Sequence, residues 1–277
     1  MLEFKSVGKV FNGSVVALDE VDLEVPRGEF CVLLGPSGAG KSTLLKMVNG
    51  ICEPSKGEII FDGKFINRKN LKTLRRRISM VHQQLHLVGR LSVINNVLSG
   101  ALPSVPTWRS MLNLFPIEYQ RKACSLLEQV DLEELHLYRR TSSLSGGQQQ
   151  RVAIARAFIL DPDVVLADEP VASLDPVISR NILRLLKQAS RQHGSTTICS
   201  LHQVELALEV ADRIIGLKNG KLVYDGSPEA LTADVLDMIY ECTPGTESTT
   251  MAAESFKNMM LRRTLLDPAV KVEFLVS

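Results

Sequence analysis

The chain has 277 residues, 32 Lys and Arg against 31 Asp and Glu, and a formal net charge of +1. Hydrophobic residues make up 45% and charged residues 23%, the profile of an ordinary globular protein with ample material for a core. Near-neutral charge gives no bulk attraction to nucleic acid or anionic lipid. No apolar run approaches the roughly 18 residues needed to span a bilayer, and MLEFKSVGKVF lacks the basic and then apolar pattern of a leader. The expectation is a cytoplasmic protein. Cys31, Cys52, Cys124, Cys199 and Cys242 form no CxxC pair and read as small buried hydrophobes in a reduced compartment.

In chain order, the first 30 residues alternate apolar and polar positions, which predicts antiparallel strands with one solvated face. FCVLLG (30–35) is a continuous apolar run stopped by glycine, the pattern of a buried parallel strand. KSTLLKMVNG then carries helical spacing, with Gly50 as its C-terminal stop. GEIIFDGKFI reads as strand and turn. From about 88 to 150 the texture turns helical, in SVINNVLSGA and EYQRKACSLLEQVDL, interrupted by Pro103, Pro106 and Pro116. This predicts a helical subdomain inserted into an α/β core. Strands resume at VVLAD (164–168), TTICSL (196–201) and RIIGLKNGKLVYDG (213–226). Between the first two, Asp175 and Pro176 open a helix as cap and first residue, with Ile178, Ile182, Leu185 and Ala189 as its expected buried stripe. Strands alternating with helices argue for a parallel sheet. From Thr243 the chain is small and polar and reads as a flexible tail, followed by a last segment with the pattern of a short helix and strand and no visible chemistry.

Gly35, Pro36, Ser37, Gly38, Ala39, Gly40, Lys41 and Ser42 spell GxxxxGK[ST], the P-loop, between an expected strand and an expected helix. Glycines let such a loop wrap phosphates with inward N–H groups, and the helix beginning at Lys41 adds its positive dipole end. Lys41 is placed to hold the β- and γ-phosphates and Ser42 to ligate Mg²⁺. Taken alone, the motif says only that a nucleotide binds. Val164-Val165-Leu166-Ala167-Asp168-Glu169 is a buried strand ending in two carboxylates. Asp168 at the strand end is within reach of the magnesium, and Glu169 is placed to polarise a water attacking the γ-phosphate. Leu144-Ser145-Gly146-Gly147-Gln148 precedes a further helix, a second glycine-rich helix N-terminus suited to an anion.

LSGGQ between a P-loop and an apolar-Asp-Glu strand resembles the ATP-binding cassette (ABC) family over about residues 1–241. The resemblance implies an α/β P-loop cassette with an N-terminal antiparallel β subdomain and an inserted helical subdomain, ATP and Mg²⁺ as ligands, and a homodimer. In such a dimer Ser145, Gly146, Gly147 and Gln148 cap the γ-phosphate bound by the opposing copy. It further implies that Phe11 stacks on adenine, with Val16 beside it, that Thr43 completes the loop, and that Gln83 senses Mg²⁺ and water. His82 stands where phenylalanine is frequent. Ala172-Ser173-Leu174-Asp175 matches a loop that crosses the dimer interface, and His202 the histidine that contacts the γ-phosphate and holds the attacking water.

A cassette without membrane helices implies separate permease subunits, attachment at the cytoplasmic face of the cell membrane and, for an importer, an extracytoplasmic solute-binding protein. Within the family, Gln83-Gln84, Gly89-Arg90-Leu91, the segment Gly100 to Ser110 with Trp108-Arg109, and Leu201-His202-Gln203-Val204 resemble the ATPases of phosphonate importers. An exporter ATPase is a rival reading, as is a soluble cassette acting on ribosomes or DNA, although neither paired cassettes nor long coiled coils are present. A plain P-loop kinase has no use for LSGGQ. Nucleic acid is not an expected partner.

Overall fold

Alternation in the N-terminal third becomes pleated sheet, and the computed structural model describes residues 2–240. Strand β1 (Leu2–Phe11) turns tightly into β2 (Val15–Val25) and also pairs with β4 (Lys56–Phe61), which continues into the short β5 (Lys64–Phe65). Together they make an antiparallel sheet in the order β2-β1-β4-β5. Val21, Leu23 and Val25 point inward and are buried, while Asp22 and Glu24 between them are exposed.

The second sheet has six strands. β3 (Phe30–Leu34), β6 (Ile78–Val81), β7 (Val164–Asp168), β8 (Thr196–Ser200) and β9 (Arg213–Lys218) run parallel, and β10 (Lys221–Gly226) closes one edge antiparallel to β9. The order is β10-β9-β3-β8-β7-β6. Every residue of β3, β7 and β8 is buried, as expected of parallel strands covered on both faces. Alternate residues of β3 serve two cores. Cys31 and Leu33 pack with α1 (Lys41–Val48) and the antiparallel sheet, whereas Phe30, Val32 and Leu34 face the helical side. A short helix α2 (Leu71–Leu74) leads into β6.

The helical stretch contains α3 (Val93–Ser99), α4 (Thr107–Met111), α5 (Ile117–Gln129) and α6 (Gly146–Phe158). The helix expected after Gln148 is α6, which runs to Phe158 and packs against the sheet core through Val152, Ile154, Ala155 and Phe158. α7 (Pro176–Gln192), α8 (Val204–Val210) and α9 (Ala233–Tyr240) complete the described chain.

Two expectations about packing need correction. The buried stripe of α7 is Ser179, Ile182, Leu183, Leu186 and Ala189, whereas Ile178 is 39% exposed and Leu185 is half-buried. The cap sets the phase: Asp175 accepts from the N–H groups of Val177 and Ile178 at 3.0 Å each, and Ile178 turns toward Gly147 instead of the core. The cysteines also divide. Cys31 and Cys199 are buried, and burial pushes both thiols up, but Cys52 is half-buried and Cys124 exposed. Cys242 and the tail from Thr243 lie outside the described residues.

Candidate nucleotide site

Four neighbouring parallel strands, β3, β8, β7 and β6, bring their carboxyl ends to one rim of the sheet. This is where open α/β sheets bind ligands, and each strand delivers one part of the site. β3 runs into the loop 35–40 and then α1. The loop needs glycine for steric reasons that can be stated atom by atom. Gly35 has φ +150°, and a Cβ there would lie 2.1 Å from the Leu217 carbonyl oxygen. Gly40 has φ +103°, and its Cβ would lie 2.5 Å from the Ala17 oxygen. The backbone is thus pinned between β9 and β2 and can curl only without side chains. A Schellman-type close ends α1, with Gly50 at φ +65° donating to Met47 O and Ile51 donating to Lys46 O.

Lys41 is 5% exposed. Its Nζ donates to the carbonyls of Gly35 at 2.6 Å and Pro36 at 3.0 Å. Burial lowers its pKa from the ordinary lysine value, opposed by Glu169 and Asp168. Ser42 Oγ donates to Asp168 Oδ1 at 2.8 Å, joining the first turn of α1 to the end of β7. Glu169 follows in the left-handed region at φ +48°, a conformation that costs a non-glycine residue about 1 kcal/mol. Its N–H donates to Ser200 Oγ at 3.0 Å, and its Oε1 meets His202 Nε2 at 2.5 Å. The walls of this concavity are Ala17, Ser37 to Thr43, Glu169 and His202. Lys41, Ser42, Thr43, Asp168, Glu169 and His202, chosen from widely separated stretches of sequence, are therefore brought together. Hard oxygen donors on Ser42 and Asp168 suit a divalent cation of the magnesium type, and inward N–H groups at the start of α1 suit phosphate.

Other selected residues stand apart from this concavity. Phe11 and Val16 sit on the adjoining β1–β2 hairpin, 40% and 55% exposed, with Lys9 Nζ 5.0 Å from the Phe11 ring centroid. An exposed ring on a rigid hairpin is a surface on which a base can stack. Gln83 lies two residues beyond β6, at the rim beside the end of β7, and is exposed. Ser145 to Gln148 form the N-terminus of α6 and do not line the concavity. There the Ser145 hydroxyl accepts from Gln148 N–H at 3.3 Å and Gln148 Oε1 accepts from Ser145 N–H at 3.0 Å, a reciprocal capping box. Of the two glycines, Gly147 is closely approached, since a Cβ there would lie 3.0 Å from Ile178, whereas a Cβ on Gly146 would make an ordinary contact with Leu174 at 3.4 Å. The 172–175 loop and the signature thus abut within one chain.

Sequence reasoning passed over three residues. Ser200 is fully buried, accepts from Glu169 N–H and donates to Asp168 Oδ1 at 3.0 Å, so one hydroxyl fixes both acidic residues. Its signal was a hydroxyl at the end of a fully buried strand, two residues before His202. Asn96, with no exposed surface, brackets Val88 by accepting from its N–H at 2.8 Å and donating to its carbonyl at 3.1 Å. Arg156 sits among the apolar residues of α6, and burial lowers its pKa.

A glycine-cradled lysine, a serine–aspartate pair and a glutamate–histidine pair on the rim of a parallel sheet define a P-loop nucleotide-binding protein. The family description ABC transporter matches residues 18–172. Among curated relatives, the phosphonates import ATP-binding protein of Hydrogenovibrio crunogenus is 55% identical over 241 residues, covering 87% of this chain and 89% of the relative. That of Trichodesmium erythraeum is 46% identical over 253 residues, covering 91% and 97%. Among solved structures, cbiO1 of Clostridium perfringens, part of the cbiONQ ABC transporter complex, superposes with a TM-score of 0.75 at 30% identity, covering 88% of this chain and 95% of that one. A dimeric bacterial ABC transporter cassette, MJ0796, gives 0.70 at 32% identity, covering 83% and 100%; a post-hydrolysis state of MJ0796 holds ADP and Pi. This chain belongs to the ABC transporter family, as one of its nucleotide-binding cassettes. Among the described residues no helix is long and apolar enough to cross a membrane.

Proposed function

We propose that the chain is the ATP-hydrolysing subunit of an importer for phosphonates or a closely related phosphorus oxyanion, with residues 1–241 forming the cassette. The observation that carries the catalytic part is the convergence of Lys41, Ser42, Glu169 and His202 on one concavity, with Asp168 bonded to Ser42 at its edge, that the signature helix of the same chain does not reach. Phe11 and Val16 receive the adenine, and the N–H groups and Lys41 of the loop Gly35 to Thr43 receive the phosphates. Ser42 and Asp168, with Gln83 beside them, would hold Mg²⁺. When bound, that ion neutralises charge on the β- and γ-phosphate oxygens. Glu169 polarises the water in line with the γ-phosphate, and His202, hydrogen-bonded to it, fixes its carboxylate and faces the same phosphate.

Two copies pair head to tail, so that Ser145, Gly146, Gly147 and Gln148 of one close the ATP of the other. The dimeric form of the MJ0796 cassette supports this reading. Pairing moves the permease subunits at the cytoplasmic face of the membrane, and an extracytoplasmic protein delivers the solute. The solute class rests on the names of relatives at 46–55% identity. The test is ATPase activity in vesicles carrying the chain, its permease and its binding protein, with a phosphonate, phosphite or phosphate added. Stimulation by a phosphonate is expected. A rate indifferent to all three removes the solute class and leaves the ATPase.

A further inference from the structure

Among the described residues Gln83 makes no hydrogen bond to Asp168 or Glu169, so something else must set where it points. The loop that carries it, 82–91, leaves the core at Val81 and has few main-chain bonds to the sheet. Its far end is held by Asn96 of α3, through both polar groups of Val88. Its middle packs Leu85 and Leu87 against the core and takes its polar hold from one side chain. Arg156 Nη2 donates to the Leu85 carbonyl at 2.6 Å and its Nη1 to the His86 carbonyl at 2.9 Å. His86 has φ +49°, so the grip falls where the backbone is strained. Both acceptors are neutral carbonyls around a half-buried guanidinium, a charge that proteins more often match with a carboxylate. The base of the side chain is set by close packing of α3 on α6, since a Cβ on Gly100 at the end of α3 would lie 2.4 Å from the Arg156 carbonyl oxygen and 3.0 Å from its Cγ. The fork geometry of a guanidinium suits two adjacent carbonyls, and a single ammonium cannot reproduce it.

We propose that Arg156 is a positioning residue for hydrolysis: it sets Gln83 by holding the Leu85 and His86 carbonyls, and it does so from the helix that begins with the signature. Gly146 and Arg156 are ten residues apart on α6, roughly 15 Å along its axis. A copy docking on the signature end therefore loads the same rigid rod that grips the Gln83 loop. The proposal rests on the reading of Gln83 as a residue of the γ-phosphate site.

The experiment is a double-mutant cycle on the full chain with Arg156→Lys and Gln83→Ala, following kcat, KM for ATP and the Mg²⁺ concentration giving half-maximal rate. Arg156→Lys alone is expected to lower kcat on the order of tenfold and raise the Mg²⁺ requirement, with KM for ATP unchanged. In the Gln83→Ala background the same substitution should cost less than about twofold. Equal losses in both backgrounds, or a loss that follows a fall in melting temperature, overturns the proposal and makes Arg156 a packing residue. If Gln83→Ala keeps wild-type kcat and Mg²⁺ dependence while Arg156→Lys does not, the reading of Gln83 itself is at fault.

Discussion

Two glycine-rich helix entrances in this chain solve different problems. At the start of α1, Gly35 and Gly40 hold backbone angles that side-chain-bearing residues avoid, and the space where their Cβ atoms would go is filled by carbonyl oxygens of Leu217 and Ala17. At the start of α6, Gly146 and Gly147 do not have positive φ, and their would-be Cβ atoms meet only side chains, the Leu174 δ-methyl and the Ile178 γ-methyl. The first is a cavity whose backbone has no room for side chains at Gly35 and Gly40. The second is a flat, self-capped face, whose Ser145 and Gln148 satisfy one another. Glycine supplies curvature in one place and close approach in the other. This contrast fits one entrance being a receptacle and the other a lid for a different copy.

The largest expected effect separates the two directly. Gly35→Ala should abolish fluorescent-nucleotide binding and cost about 3 kcal/mol of stability, because its Cβ meets main chain that cannot yield. Gly147→Ala, whose Cβ meets the Ile178 γ-methyl at 3.0 Å on a side chain that is 39% exposed and can give way, should keep nucleotide binding and melting temperature near wild type while ATP-driven pairing on a sizing column is lost. Equal damage from both would erase the distinction. Next, Glu169→Gln should lower kcat by about 10²–10³-fold with KM for ATP little changed, measured in steady state; an unchanged kcat removes Glu169 from the chemistry. Ser200→Ala leaves the Glu169 N–H without its acceptor and should cost about 1–3 kcal/mol in a denaturant melt, with a several-fold loss in kcat. The smallest is Ser145→Ala, which removes half of the capping box for about 1 kcal/mol. That shifts the melting temperature by roughly 2–4 °C, with nucleotide affinity of the single copy unaffected.

Much of this was legible in the sequence because the chemistry is written in contiguous strings. Gly35 to Thr43, Asp168-Glu169 and Ser145 to Gln148 each occupy one turn or one strand end, and the apolar runs before them announced the parallel strands. Asp175 and Pro176 marked the start of α7 for the same local reason. Where reading failed, the determinant was a neighbour distant in sequence. The stripe on α7 was rotated because Ile178 is claimed by Gly147, which lies 31 positions earlier. Cys124 reads as core with the other unpaired cysteines, yet α5 turns Ala123, Leu126 and Leu127 inward and leaves it outside. Ser200, Asn96 and Arg156 act through hydroxyl, amide and guanidinium contacts 8 to 71 positions away in the chain, which no window of residues reveals.

The separation of cradle and signature on different elements of one chain has a genetic corollary under head-to-tail pairing. A chain carrying Gly147→Ala retains an intact cradle, and a chain carrying Glu169→Gln retains an intact signature. Expressed together, these two defective alleles assemble mixed pairs in which one composite site is whole. Each allele alone should fail to support uptake, and the two in the same cell should partly rescue one another. A single allele bearing both lesions can lend nothing to the chain carrying Gly147→Ala.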